Sequence, residues 1–380
     1  MRPRRFVWMW ALLILVMIVL LAFALCDPAT AQTTPREDET AIRALVETMA
    51  SAITAQDAET YLDFVDLSDP IFASEHRYWV EDWAEGDPLD RFVMQVDAVQ
   101  VSGDSATAEL SILWAVLPRT SYREAAYPVR FVRSPDGTWL YAGEAWVTLD
   151  IEHFQINVFP GMEASAEELA AMLPAIYDHT TGSLDHTPGS AMSVKLYDSQ
   201  DALGATIALR LQPIRGWNEP GESLKLYIVP PEVPSRSVLA HEMSHFVMFD
   251  MAGTTDGLYP WWLLEGSAQV IASEFWEPEW LVGELDRVRH WQSRGILADW
   301  DAISDYDTTP VDLWSFVYPQ GYAFTRYVTE TFGEAARNDW LRAMAGEMEL
   351  DEATETMLGT TFAALDEGFN AWLRQAVPEA

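Results

Sequence analysis

His241 and His245 stand four residues apart with Glu242 between them. On a helix that spacing puts both imidazoles on one face, close enough to share one ion. Glu242 then reaches a water on that ion, where a carboxylate can act as general base. With 7 His in 380 residues, a chance His-Glu-x-x-His match has a probability of roughly one in a hundred. The surroundings suit a helix with a buried face. Val238, Leu239 and Ala240 precede the motif, Phe246, Val247, Met248 and Phe249 follow it, and Pro234, Ser235 and Ser237 supply a start. A catalytic zinc needs a third protein ligand and an open position. The next strong candidate is Glu265, in Trp262-Leu263-Leu264-Glu265-Gly266-Ser267-Ala268. That run reads as a second helix able to pack back on the first.

His-Glu-x-x-His followed at this distance by Trp-Leu-x-Glu-Gly-x-Ala resembles the gluzincin metallopeptidases. Within them it is most similar to the peptidase MA-like domains and to the catalytic core of the thermolysin-like and aminopeptidase branches. The resemblance spans residues 150 to 380. It implies one zinc ion per chain, held by His241, His245 and Glu265, with Glu242 as catalytic base and a peptide or protein as substrate. It also gives a meaning to Tyr318-Pro319-Gln320-Gly321, which is expected to open a helix continuing through Phe324 and Tyr327. In the aminopeptidase branch a Tyr-x-x-G here supplies a transition-state-stabilising Tyr, which implies Tyr318 in that role and Tyr322 second. Read as residues alone, these aromatics equally suit a core at helical spacing. Ser223 to Val229 is expected to be the edge strand that pairs with extended substrate. The Gly-x-Met-Glu-Asn motif of the aminopeptidase branch is missing, so endo- and exopeptidase action both stay open.

Other chemistries lack their signatures. There is no Gly-x-Ser-x-Gly elbow and no Gly-rich phosphate loop. His153, His179, His186 and His290 have no partner at ligand spacing and read as surface or structural residues, His290 being a distant second helper at the site. Asp250, Asp256 and Gln269 are candidates for orienting the ligands. His76 lies among several acids of the first half, at no telling spacing.

These residues need elements to position them. The chain is long enough for two domains and a targeting segment, and at 49% apolar residues with 17 Trp it can fill two cores. Its net charge of −36 repels phosphate backbones, so a nucleic-acid partner is not expected. Lys195 and Lys225 are its only lysines, and Cys26 is its only cysteine, so metal ligation in the folded part falls to His, Asp and Glu. Arg2, Arg4 and Arg5 precede an uncharged run from Phe6 to Leu25, and Ala29-Thr30-Ala31 offers a cleavage site. The run suits either a cleaved signal peptide or a retained transmembrane anchor, with a lipid-modified Cys26 as a third reading. In each case the rest of the chain lies outside the cytoplasm, secreted or in the cell envelope.

The fold class expected is α+β. Residues 1–31 are the leader and 32–37 a linker. Residues 38–148 read as helices, with Ile42, Leu45, Val46, Met49 and Ile53 at helical spacing, followed by an antiparallel sheet. In that sheet Ala106, Ala108, Leu110, Ile112 and Trp114 alternate with other residues, and Pro135-Asp136-Gly137 makes a turn. The order and size are similar to the NTF2-like (SnoaL-like) cone. Residues 149–380 form the second domain, with a small mixed sheet packed on the helix of His241 and a helical lobe to the C-terminus. Two rival expectations belong beside the peptidase: a catalytically silent peptide-binding envelope protein of the same fold, and a ligand-binding role centred on residues 38–148.

Overall fold

Pro35 takes the first position of helix α1 (Pro35–Ala55), where its missing N–H costs nothing. Ile42, Leu45, Val46, Met49 and Ile53 are all buried along one face of it. Asp57 caps the short α2 (Ala58–Leu62) by accepting from Thr60 N. Asp69 caps α3 (Pro70–Glu85) in the same way, accepting from Ile71 N and Phe72 N. Apolar periodicity does not single out α3, because its buried face mixes Glu75 and His76 with Ala73, Trp79, Val80 and Trp83. The helices lie beside an antiparallel sheet of β1 (Leu89–Ser102), β2 (Ser105–Val116), β3 (Arg123–Arg133) and β4 (Trp139–Glu144), in that order. Every second residue of β2 from Ala106 to Trp114 is buried, as the alternation requires. The turn into β4 closes with Ser134 N donating to Thr138 O over 2.8 Å, and Gly137 takes φ +91° there.

The computed structural model describes residues 35–86, 88–116, 122–209, 214–230, 232–253 and 258–375. The leader and residues 32–34 of the linker read from the sequence fall outside these, as does Asp256, while residues 35–37 belong to α1. Among the described residues no helix is long and apolar enough to cross a membrane.

The chain changes sheet at Val147, which pairs with Val158 of the next strand. The second sheet contains β5 (Val147–Ile151), β6 (Phe154–Val158), β7 (Met192–Tyr197), β8 (Gly216–Trp217) and β9 (Leu224–Tyr227). Its order is β5-β6-β7-β9-β8. The β6, β7 and β9 strands run parallel, and β5 and β8 are antiparallel at the two edges. Crossovers α4 (Glu163–Leu184) and α5 (Gln200–Ile207) complete this part. The two sheets, one antiparallel and one mixed, make the fold α+β. One sequence expectation changes: the segment Ser223 to Val229 yields β9, which has neighbours on both sides. The edge is β8, whose two residues are too few to show a strand period.

After Ser235 the chain is helical: α6 (Arg236–Ala252), α7 (Trp261–Ala272), α8 (Pro278–Arg294), α9 (Trp314–Phe332), α10 (Glu334–Ala345), α11 (Leu350–Ala353) and α12 (Phe362–Gln375). Tyr318 therefore stands inside α9 and does not open it. Proline after Tyr318 reads as a helix start, but the turn at Val311–Leu313 already leads into Trp314. One continuous apolar core runs from α1 through both sheets to Met243 of α6, so the first 110 or so described residues pack directly on the second sheet. A separate core of the helical lobe gathers Trp262, Phe324 and Phe369.

Candidate metal centre

Helix α6 begins where Ser235 Oγ accepts from Val238 N at 3.3 Å. It buries Leu239, Ala240, Met243, Val247 and Met248, which fixes the helix rotation. His241 and His245 then share the flank facing α7. Helix α7 packs against α6 and brings Glu265 to both. His241 Nε2 and His245 Nε2 lie 3.1 Å apart. Glu265 Oε2 is 3.1 Å from the first and 3.3 Å from the second. Although it is that close, Glu265 Oε2 accepts no hydrogen bond of acceptable angle. The three atoms thus converge on a common point. Ligands held at about 2.0–2.1 Å in a tetrahedron stand about 3.3 Å from one another, so this triangle fits a small divalent cation. The three residues are the metal-capable cluster among the described residues.

The electrostatics agree with that geometry. Burial opposes the ionisation of Glu265, but His245 and His241 overcome it and hold its carboxyl far below the usual range. Burial pushes the Glu242 carboxyl up to about 7, with His241 pulling down and Glu265 adding to the rise. Glu242 sits against the sheet edge. A methyl on Gly216 of β8 would lie 2.3 Å from Glu242 Oε1, so any larger residue there would displace the Glu242 carboxyl.

Sequence reasoning missed one supporting residue. Trp261 Nε1 donates to Glu265 Oε1 at 3.1 Å, leaving Oε2 to face the histidines. The signal was present, since Trp261 is four residues before Glu265 on the same helix face. Of the proposed helpers Gln269 lines a cavity beside Tyr318, whereas Asp250 and His290 lie elsewhere, as do His153, His179 and His186. Asp250 accepts from His186 Nε2 at 2.8 Å. His290 is exposed on α8. His179 meets the carbonyl of Ile271 at 3.0 Å, and His153 stacks on Tyr177.

Tyr318 does reach the centre. Its ring stacks on His241 with centroids 6.3 Å apart, which puts it close enough to Glu265 to feel that charge. Burial and the charges of Glu265 and Glu242 raise its pKa well above the ordinary phenol value. Tyr322, one turn on, points away and bonds Arg326 at 3.1 Å. The approach of α9 depends on two glycines. A methyl on Gly266 would meet Gly321 O at 2.3 Å, and one on Gly321 would meet Trp262 O at 2.1 Å. The glycines of the two sequence segments therefore touch. Beside Tyr318 opens a cavity of about 280 Å³, walled by Trp276, Trp280, Trp314 and Tyr322 and bearing Gln269 and Glu284.

No family model and no curated protein matches the chain. Among solved structures, a function-unknown protein from Mycobacterium tuberculosis shows 19% identity over 29% of this chain and 73% of its own, with a TM-score of 0.24. That score is too low to establish a shared fold.

Proposed function

We propose that the chain is a zinc-dependent peptidase that hydrolyses peptide bonds outside the cytoplasm. The observation that carries this reading is the triangle of His241, His245 and Glu265 atoms at 3.1–3.3 Å with Glu242 beside it. Two neutral imidazoles and one carboxylate are a donor set that suits zinc. Bound there, zinc would polarise a carbonyl and lower the pKa of a water to about 7.

The chain's own residues supply the rest. Glu242, with a pKa near neutrality, takes the water's proton and passes it to the leaving nitrogen. Tyr318 keeps its proton at neutral pH and donates to the developing oxyanion. The β8 edge, antiparallel to β9 and in contact with Glu242, offers backbone groups to an extended peptide. The aromatic cavity beside Tyr318 is large enough for a substrate side chain. The Arg-flanked apolar run at the N-terminus supports action outside the cytoplasm.

The test pairs elemental analysis with cleavage of a denatured protein substrate. The expected result is close to one zinc per chain and cleavage that a chelator abolishes. Glu242→Gln should keep zinc and lose cleavage, and His241→Ala should lose both. Absence of zinc after incubation at neutral pH, or undiminished cleavage by Glu242→Gln, overturns the proposal.

A further inference from the structure

The only two lysines of the chain are both buried and stand side by side in the second sheet, Lys195 on β7 paired with Lys225 on β9. Two adjacent buried ammonium groups repel each other unless carboxylates separate them. Glu144 lies 3.9 Å from Lys195 Nζ, and Glu222 lies 2.5 Å from Lys225 Nζ. Glu75 of α3 touches both lysines, Lys195 through Oε2 at 2.5 Å and Lys225 through Oε1 at 3.5 Å. Its Oε1 also accepts from the backbone N of Ser223 at 3.1 Å and from the Ser223 hydroxyl. The first unit thus grips β9 from one face of the sheet. Trp79 Nε1 donates to Ala205 O at 2.7 Å, and Leu209 N donates to Asp82 at 2.9 Å, which holds the approach to β8 as well.

The grip continues to the metal centre. Lys225 pairs with Trp217 in the register, and Leu226 pairs with Gly216. Directly opposed residues of an antiparallel pair point to the same face. Trp217 therefore lies on the lysine side and Gly216 on the side of α6, where its backbone meets Glu242. Among the described residues strand β8 has two residues and only β9 as a ladder partner, with Trp217 also set edge-on against Tyr306. Its backbone ladder, and with it the place of Gly216 against Glu242, depends on β9.

We infer that Glu75 is a positioning residue: the N-terminal α+β unit clamps β9 through Glu75, Lys195 and Lys225, and so sets β8 against Glu242. This makes the first unit a working part of the active cleft and not a separate module. The clamp rests on the contacts above, and its catalytic consequence rests on the peptidase reading.

The test uses Glu75→Gln in the full chain, with Ser223→Ala as the milder variant that removes only the hydroxyl bond. Hydrogen exchange followed by mass spectrometry reads the clamp without any activity. Amides of 215–227 should exchange about tenfold faster or more in Glu75→Gln, and a few-fold faster in Ser223→Ala, while those of α6 keep their rates. Zinc content should stay unchanged, because the ligands lie on α6 and α7. Against a peptide substrate kcat should fall about tenfold or more with KM nearly constant. Exchange that is unchanged in 215–227, or that rises equally in α6, overturns the inference, as does an unchanged kcat. A wild-type chain with zinc but no cleavage would sink the peptidase proposal alone, and the exchange pattern would still decide the clamp.

Discussion

Gly321→Ala sets two opposite effects against each other, and the structure decides which wins. An alanine in a helix interior is worth about 1 kcal/mol over glycine, so an uncrowded site would gain stability. Gly321 is crowded. The added methyl would stand 2.1 Å from Trp262 O, whereas real contacts of this kind do not fall below 3.0 Å. Helices α7 and α9 must then part by about 0.9 Å at their crossing, the difference between those distances. Overpacking of that kind costs about 1–3 kcal/mol, which outweighs or at least cancels the propensity gain. The net cost of about 0–2 kcal/mol gives an expected fall in Tm of up to about 3 °C by differential scanning calorimetry. The parting acts one turn away, on the place of Tyr318 beside Glu265. A displacement near 1 Å costs about a hundredfold in rate when a stabilising group is moved off its target. The variant should therefore bind zinc normally but turn over peptide about a hundredfold more slowly. Gly283→Ala is the control, since a methyl there on α8 meets nothing within 4 Å and should raise Tm. If Gly321→Ala instead raises Tm like the control and keeps its kcat, the helices do not cross this closely and the placement of Tyr318 is wrong.

Trp261→Phe removes the donor to Glu265 Oε1 while keeping the ring's bulk. Zinc affinity should fall about ten- to a hundredfold in competition with a chromophoric chelator, and an unchanged affinity would refute the orienting role. His76 is held by burial at a pKa of about 3, with Glu75 pulling up and Lys195 pulling down, against an ordinary 6.5. Below pH 6.5 the unfolded chain gains a proton that the folded chain refuses, so stability should drop toward pH 3 by up to about 1.4 kcal/mol per pH unit. Glu75, lowered to about 2 against the cost of burial by Lys195 and Lys225, adds to the loss below pH 4.5. His76→Phe gives up the 2.7 Å bond to Tyr61, and Tyr141 and Trp79 also border the ring. It should be less stable at pH 8 yet show a shallower decline from pH 6.5 to 5 in urea titrations. Parallel slopes for the two proteins would refute the buried neutral imidazole.

What was legible in the sequence follows from the range of the forces involved. The His241 and His245 face and its partner Glu265 depend on helical spacing and on one neighbouring helix, and local pattern reports both. So do the strands of β2 and the turn at Gly137. Strand β8 was hidden because two residues carry no period, and its role depends on Gly216 meeting a residue of another element. Helix α3 was hidden because its buried face carries Glu75 and His76, whose partners are Lys195, Ser223 and Tyr61. Polar residues on a buried face are explained only by their partners, and those partners lie far along the chain. Tyr318 was found by likeness, but its position inside α9 was misread because proline resembles a helix start.

The two sides of the cleft also differ in how soon they can form. His241, His245 and Glu265 lie on consecutive helices, so closing that triangle orders only a short loop of chain. Glu75 meets Lys195 across a separation of 120 residues and Ser223 across 148. During folding the hairpin of α6 and α7 is therefore cheap and early, while the wall opposite it waits for pairings across more than a hundred residues. A nascent chain would pass through a stage in which the triangle of His241, His245 and Glu265 is formed while the wall beside Glu242 is still open.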